Sequence, residues 1–192
     1  MYIKKIKRIR RDSFIKKLRN VTLYNNPDIL PYKDAEIEIV ISDPSCFEPS
    51  TFYVLRDGLK FVSLLTDHIA SKLGDYAKIN TLVEYEDEFG DVNFIAPPII
   101  EYSDFGKWMI LDGLHRCFIA RHRKLSIPVA LVSNATIPYP NLALPSGWKS
   151  VYIADKTPDV KRILRSGLND LPQTRYNLHR NLSVLGSRGS RK

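Results

Sequence analysis

Trp108-Met109-Ile110-Leu111-Asp112-Gly113-Leu114-His115-Arg116-Cys117-Phe118-Ile119-Ala120 is the stretch on which the fold turns. Lys107 to Leu111 has the apolar run of a buried strand. Asp112-Gly113 breaks it, because glycine enters turn conformations at no steric cost. The chain then reads as a short helix from about His115 to Lys124, followed by a second strand from Ile127 to Val132. This unit is strand, tight turn, helix, strand, and it predicts an α+β domain with the strand before Asp112 central and the helix covering one face.

The same geometry predicts chemistry. The strand delivers Asp112 and Gly113 to its C-terminal end, where the first N–H groups of the next helix lack intrahelical partners and favour an anion. Gly113 would let an anion approach the backbone, Arg116 offers a forked, permanently charged donor, and His115 can donate or exchange a proton. Asp112 could orient His115 or Arg116, or help hold a metal bound to phosphates. A plain capped turn, with Arg116 in a surface salt bridge, is the competing reading.

Outward from this centre, Ile37 to Ser42 alternates apolar and acidic side chains and reads as a strand ended by Asp43-Pro44. A loop through Glu48 and Pro49 follows. Leu55, Leu59, Val62, Leu65, Ile69 and Leu73 have helical spacing, with Asp57 as the expected cap and Gly74 as the stop. Glu84 to Asp91, with five carboxylates, reads as a solvated loop without assigned chemistry. Ile95 to Tyr102 reads as a strand entered through a proline corner. Pro138 to Pro145 reads as a connection, Pro158 to Gly167 as another helix, and Ser187 to Lys192 as a frayed end.

Charge is unevenly spread along the 192 residues. Residues 1–20 carry nine Lys and Arg against Asp12 alone, and residues 161–192 carry eight against Asp170, whereas the middle holds twelve against nineteen acidic residues. Basic ends on an acidic body fit either nucleic-acid phosphates or docking onto the body itself. The first segment reads as helical and peripheral to the sheet, so that its removal would leave a folded core. Cys46 and Cys117 lie far apart without metal-type spacing, so neither a disulfide framework nor a Cys-rich zinc site is indicated. No run is apolar enough to span a bilayer, and a cytoplasmic, reducing location is expected.

Asp112-Gly113-Leu114-His115-Arg116 with Ala120 behind it, then Ile127-Pro128-Val129, resembles the signature of the ParB/sulfiredoxin superfamily, above all its free-serine kinases. Val54 to Leu64 is similar to the sulfiredoxin helix whose lysine, here Lys60, reaches nucleotide phosphates, and Pro97-Pro98-Ile99 resembles that family's strand entry. The resemblance covers roughly Ile37 to Val132. It implies a ParB/sulfiredoxin-like small mixed sheet with packed helices, in residues 31–135, between a basic extension (1–30) and a C-terminal extension (136–192). It further implies phosphate contacts from Lys60, Gly113, Leu114, His115 and Arg116, magnesium near Asp112, and ATP or another nucleoside di- or triphosphate as cofactor.

The departures narrow the reading. Sulfiredoxins place their reactive cysteine where Leu114 stands, so thiol chemistry at Cys117 is not expected. ParB partition proteins usually carry Arg-Arg with a preceding acidic residue, and no helix-turn-helix is evident after the motif. The remaining expectation is an ATP-dependent phosphotransferase or nucleotide hydrolase acting on a small hydroxylated substrate, with Asp112 and His115 in catalysis. Glu48 is the general base implied by the kinase-like branch, and Glu36 and Glu38 are its reserves. A ParB-like protein binding or cleaving DNA or RNA through its basic ends is the alternative. Asp67 and His68 are expected to face solvent, His122 to join a basic helix face, Trp148 to plug the core, and Tyr176, His179 and Arg180 to contact nucleic acid or dock on the body.

Overall fold

The computed structural model describes residues 3–104, 106–137, 139, 147–159 and 178–186. In chain order its elements are β1 (Lys5–Arg8), α1 (Arg11–Arg19), β2 (Thr22–Leu23), β3 (Glu36–Ser42), β4 (Glu48–Pro49), β5 (Tyr53–Leu55), α2 (Arg56–Leu73), β6 (Val83–Glu86), β7 (Val92–Ile95), β8 (Ile99–Tyr102), β9 (Trp108–Asp112), α3 (Leu114–His122), β10 (Ile127–Ser133), β11 (Tyr152–Ala154) and β12 (Arg180–Asn181).

A mixed five-stranded sheet, ordered β3-β10-β8-β9-β4, carries the motif. Its alternating side chains serve two helices, as the two-residue period of a strand requires. Ile100, Ile110, Ile127 and Val129 pack with Cys117 and Ala120 of α3, while Ile99, Ala130 and Val132 pack with Phe14 and Leu18 of α1. The fold is therefore α+β, as expected. Leu111 is buried and residues 114–122 are helical. The central strand is β8 instead of β9, because α3 carries the chain across β8 and sets β10 on its far side, parallel to it.

A second sheet, β1-β6-β7, is antiparallel and packs Val83, Tyr85 and Ile95 against Leu65, Ile69 and Ala70 of α2. The carboxylate-rich stretch expected as a loop is thus mostly a hairpin. Val83 and Tyr85 turn inward while Glu84 and Glu86 turn outward, Glu86 meeting Lys5 at 3.7 Å. Only the turn is irregular, and there Asp87 accepts the N–H groups of Phe89 and Asp91 at 3.0 Å. The basic N-terminal segment also differs from expectation. Its first part pairs with β6, and α1 buries Phe14 and Leu18 completely. It is part of the core, since its cations line only the outer side of an amphipathic helix.

Helix α2 closes at Gly74, whose φ of 88° is left-handed. Its N-cap is Leu55 and not Asp57, because β5 runs into the helix without an intervening turn and leaves Asp57 in the first turn. β5 is held from outside by β11, parallel to it, and by an Arg56–Asp155 ion pair at 2.6 Å.

The chain returns at residues 178–186, where β12 pairs with β2 and Leu185 joins the α1 cluster. Arg180 is buried there against Glu101. Its Nε and Nη2 donate to the two carboxylate oxygens at 3.0 and 2.5 Å, and Nη1 donates to the Leu178 carbonyl at 2.8 Å. Tyr32 Oη and the Tyr139 N–H also donate to Glu101, at 2.5 and 2.7 Å. Of the two expectations for Arg180, docking on the body is the one realised. The predicted helix at 158–167 has all but its first two residues outside the described ones. Pro138, residues 140–146, Tyr176 and Ser187 to Lys192 also lie outside them.

Candidate anion-binding site

β9 ends at Asp112, and Gly113 turns the chain into α3 with a φ of 83°, a conformation glycine adopts without strain. A Cβ at this position would lie 2.7 Å from Arg116 Nη2 and 2.9 Å from Pro98 Cα. Glycine is thus required so that Arg116 can fold back over the turn and the Pro97-Pro98 corner can press against it. The N-cap makes no side-chain hydrogen bond and the first turn holds no acidic residue, so the positive end of α3, at the N–H groups of Leu114, His115 and Arg116, has Asp112 just before the cap as its neighbouring carboxylate.

Arg116 donates from Nη2 to Asp112 Oδ2 at 3.0 Å, with side-chain exposures of 13% and 34%. Its Nη1 is buried without a hydrogen-bond partner. The side chain borders a cavity of about 40 Å³ whose other walls include Pro97, Pro98, Thr66, Ile119 and Arg123. Asp112 therefore orients Arg116. His115 is oriented elsewhere: its Nε2 accepts the Leu55 N–H at 3.0 Å, and burial lowers its pKa below the ordinary 6.5.

The motif brings Asp112, Gly113, Leu114, His115 and Arg116 together, and the remaining candidates, Lys60, Glu48, Glu36 and Glu38, lie on other elements. Lys60 lies on the second turn of α2, 69% exposed, with its ammonium 3.7 Å from Asp57. Glu48 is paired in register with Met109, three residues short of Asp112 or about 10 Å along the strand at ~3.3 Å per residue. Its Oε2 is buried without a partner. Glu36 and Glu38 lie on β3, at the opposite edge of the sheet from β4, and Glu36 accepts from Ser133 Oγ at 3.2 Å. Leu55, Gly58 and Pro98 are site-forming residues that sequence reasoning passed over. The glycine inside a helical pattern was the available signal, since such a residue marks a close approach.

Asp67 is 43% exposed, and it is also paired. Arg123 clamps it with two bonds at 2.7 and 3.0 Å, and Tyr76 donates to it, because α2 and the end of α3 meet there. The Arg123 hydrogen bonds hold its carboxyl below the usual range. His68 is half-buried, with its Nε2 enclosed, for it lies beside fully buried Ile69 on the packed side of α2. His122 is exposed and stacks on Phe118, and Trp148 packs against the α3 face while donating to the Pro44 carbonyl at 3.2 Å. Cys117 is fully buried, and burial pushes its thiol up to about 12, which removes it from nucleophilic chemistry.

Among the described residues no group of three His, Cys, Asp or Glu side chains could hold a metal. Asp112 alone, with one oxygen outside the Arg116 bond, fits a magnesium ion whose other ligands are phosphates and water.

The elements define an α+β domain in which a strand passes through a glycine turn directly into a helix. The family model of the ParB CE domain matches residues 13–152, and the chain belongs to that family. The match begins within α1 and ends at β11, which agrees with the packing of both into the body. No curated protein and no solved structure matches the chain. No helix among the described residues is long and apolar enough to cross a membrane.

Proposed function

We propose that the Asp112–Arg116 corner binds the phosphates of a nucleoside di- or triphosphate and that the chain acts on the terminal phosphoryl group, by transfer to a small hydroxylated acceptor or by hydrolysis. The observation that carries this reading is Arg116. Burying a charged donor without a partner is costly, and a phosphate oxygen would satisfy Nη1 while Asp112 keeps the guanidinium in place. The open N-terminus of α3 supplies further donors toward the same charge. Lys60 supplies a second cation, since an exposed pair with Asp57 holds it only weakly. Phosphoryl transfer depends chiefly on positioning and charge neutralisation, which these groups provide without a nucleophile from the protein. Magnesium beside Asp112 would neutralise phosphate charge. Glu48 acts as base in this reading for an acceptor that reaches to the level of Met109.

Isothermal titration of ATP, ADP and CTP, each with magnesium, tests it. Binding should weaken by about tenfold to a hundredfold in Arg116→Ala, the equivalent of about 1.5 to 3 kcal/mol for one charge-assisted contact. Unchanged binding in that variant discards the phosphate site.

A nucleic-acid reading is favoured by one observation. Lys4, Lys7, Arg10, Lys16 and Arg19 stand exposed on β1, α1 and the adjoining residues, with few acidic partners. On this reading affinity for DNA or RNA falls steeply with added salt, and a gel-shift series across ionic strengths that shows no shift sinks it.

A further inference from the structure

We infer that the first turn of α2 is a positioning element for His115, holding the imidazole as an uncharged Nδ1–H donor, so that it serves a bound phosphate as a fixed hydrogen bond and not as a proton shuttle. What His115 faces rests on the nucleotide reading above; the tautomer rests on the geometry of the free protein alone.

Leu55 ends β5 and caps α2, so its N–H lies outside the helical hydrogen-bond ladder. His115 Nε2 takes that N–H at 3.0 Å. A ring nitrogen that accepts carries no proton, and a neutral imidazole then carries its proton on Nδ1. The second contact is steric. A Cβ on Gly58 would lie 2.7 Å from His115 Nε2 and 3.0 Å from Cδ2, so the ring rests directly on the glycine backbone. Glycine inside a helix is unfavourable relative to alanine, and here it is the only residue small enough.

The charged groups acting on the ring are Asp112 and Arg116, of opposite sign, and burial outweighs both in disfavouring the imidazolium. The device reaches beyond the motif. β11 pairs Ala154 with Leu55, and Asp155 holds Arg56, so residues 152–155 fix the N–H that fixes the ring.

Long-range proton–nitrogen correlation spectra of the full chain test this, with His115 assigned by the loss of its signals in His115→Asn. At pH 7 the wild-type ring should show a protonated Nδ1 and an unprotonated Nε2, with or without ADP. A protonated Nε2, or a fully protonated ring at that pH, overturns the inference. Gly58→Ala should displace the ring, because its Cβ would stand 2.7 Å from Nε2, and should therefore mix the two tautomers and weaken ADP binding about tenfold. An unchanged ring spectrum with unchanged affinity in the folded variant removes the positioning role. Should that variant fail to fold, the wild-type spectrum decides. A wild-type chain that shows the Nδ1–H ring but takes up no nucleotide overturns the phosphate partner and keeps the tautomer, which tells the two failures apart.

Discussion

Arg180–Glu101 and Arg116–Asp112 are the same chemical pair in two settings. Around Glu101 every carboxylate lone pair is used, by two guanidinium nitrogens, the Tyr32 hydroxyl and the Tyr139 N–H, and the pair is 2% and 0% exposed. The guanidinium also lies over the rings of Tyr32 and Tyr139 at 5.5 and 5.6 Å. Burial, reinforced by the Glu101 charge, pushes the Tyr32 phenol well above its ordinary value, so it stays a donor. Around Asp112 the pair is made once, one guanidinium nitrogen is left over, and the carboxylate is a third exposed. A completed network specifies the fold, whereas an incomplete one at a turn has capacity for something from outside.

The contrast can be broken at either arginine. Arg180→Ala should have the largest effect, leaving Glu101 charged and unpaired in the core at a loss of about 3 to 5 kcal/mol, which corresponds to roughly 6 to 20 °C in thermal midpoint for a chain of this size. Calorimetry of the full chain measures it, and a midpoint within 2 °C of wild type would show that the cluster is not what holds the C-terminal segment. Arg116→Ala should change stability by less than about 1 kcal/mol, because it removes an unsatisfied donor along with a partly exposed pair. A loss as large as that of Arg180→Ala would place both arginines in the same structural class.

A smaller effect concerns pH. The folded pKa of His115 lies below the unfolded 6.5, so the unfolded chain takes up the proton first. His115 therefore favours the folded state above pH 6.5, and that contribution shrinks as the pH falls toward the lowered value. Urea midpoints between pH 5 and 7.5 should decline less steeply in His115→Asn than in the wild type. The smallest effect is expected at the thiols: in the folded chain a thiol reagent should titrate exposed Cys46 and leave Cys117 intact, and early reaction of both would show that the α3 face opens.

Much of the site could be read in the sequence because it is local. Asp112 to Arg116 span one turn, where glycine, helix start and guanidinium are neighbours along the chain. The helical period of α2 and the apolar runs of β9 and β10 were similarly plain. β1 was not, since Ile3 and Ile6 take their partners from β6 and from α2, which are distant in sequence. The hairpin of β6 and β7 was obscured by its charges, although Val83 and Tyr85 alternate with Glu84 and Glu86 as a half-buried strand should. Glu101 and Arg180 carry no mutual signal at all. Nor does Leu55, whose contribution to His115 is a backbone N–H that any residue except proline would supply.

The separation of 79 positions between Glu101 and Arg180 also bears on the order of events in time. At about 5 to 20 residues per second, a ribosome releases Arg180 roughly 4 to 16 s after Glu101. During that interval β8 cannot settle at the centre of its sheet without burying a carboxylate that lacks its counter-charge. A nascent chain is therefore expected to keep this strand hydrated, or its carboxyl protonated, until the C-terminal segment arrives.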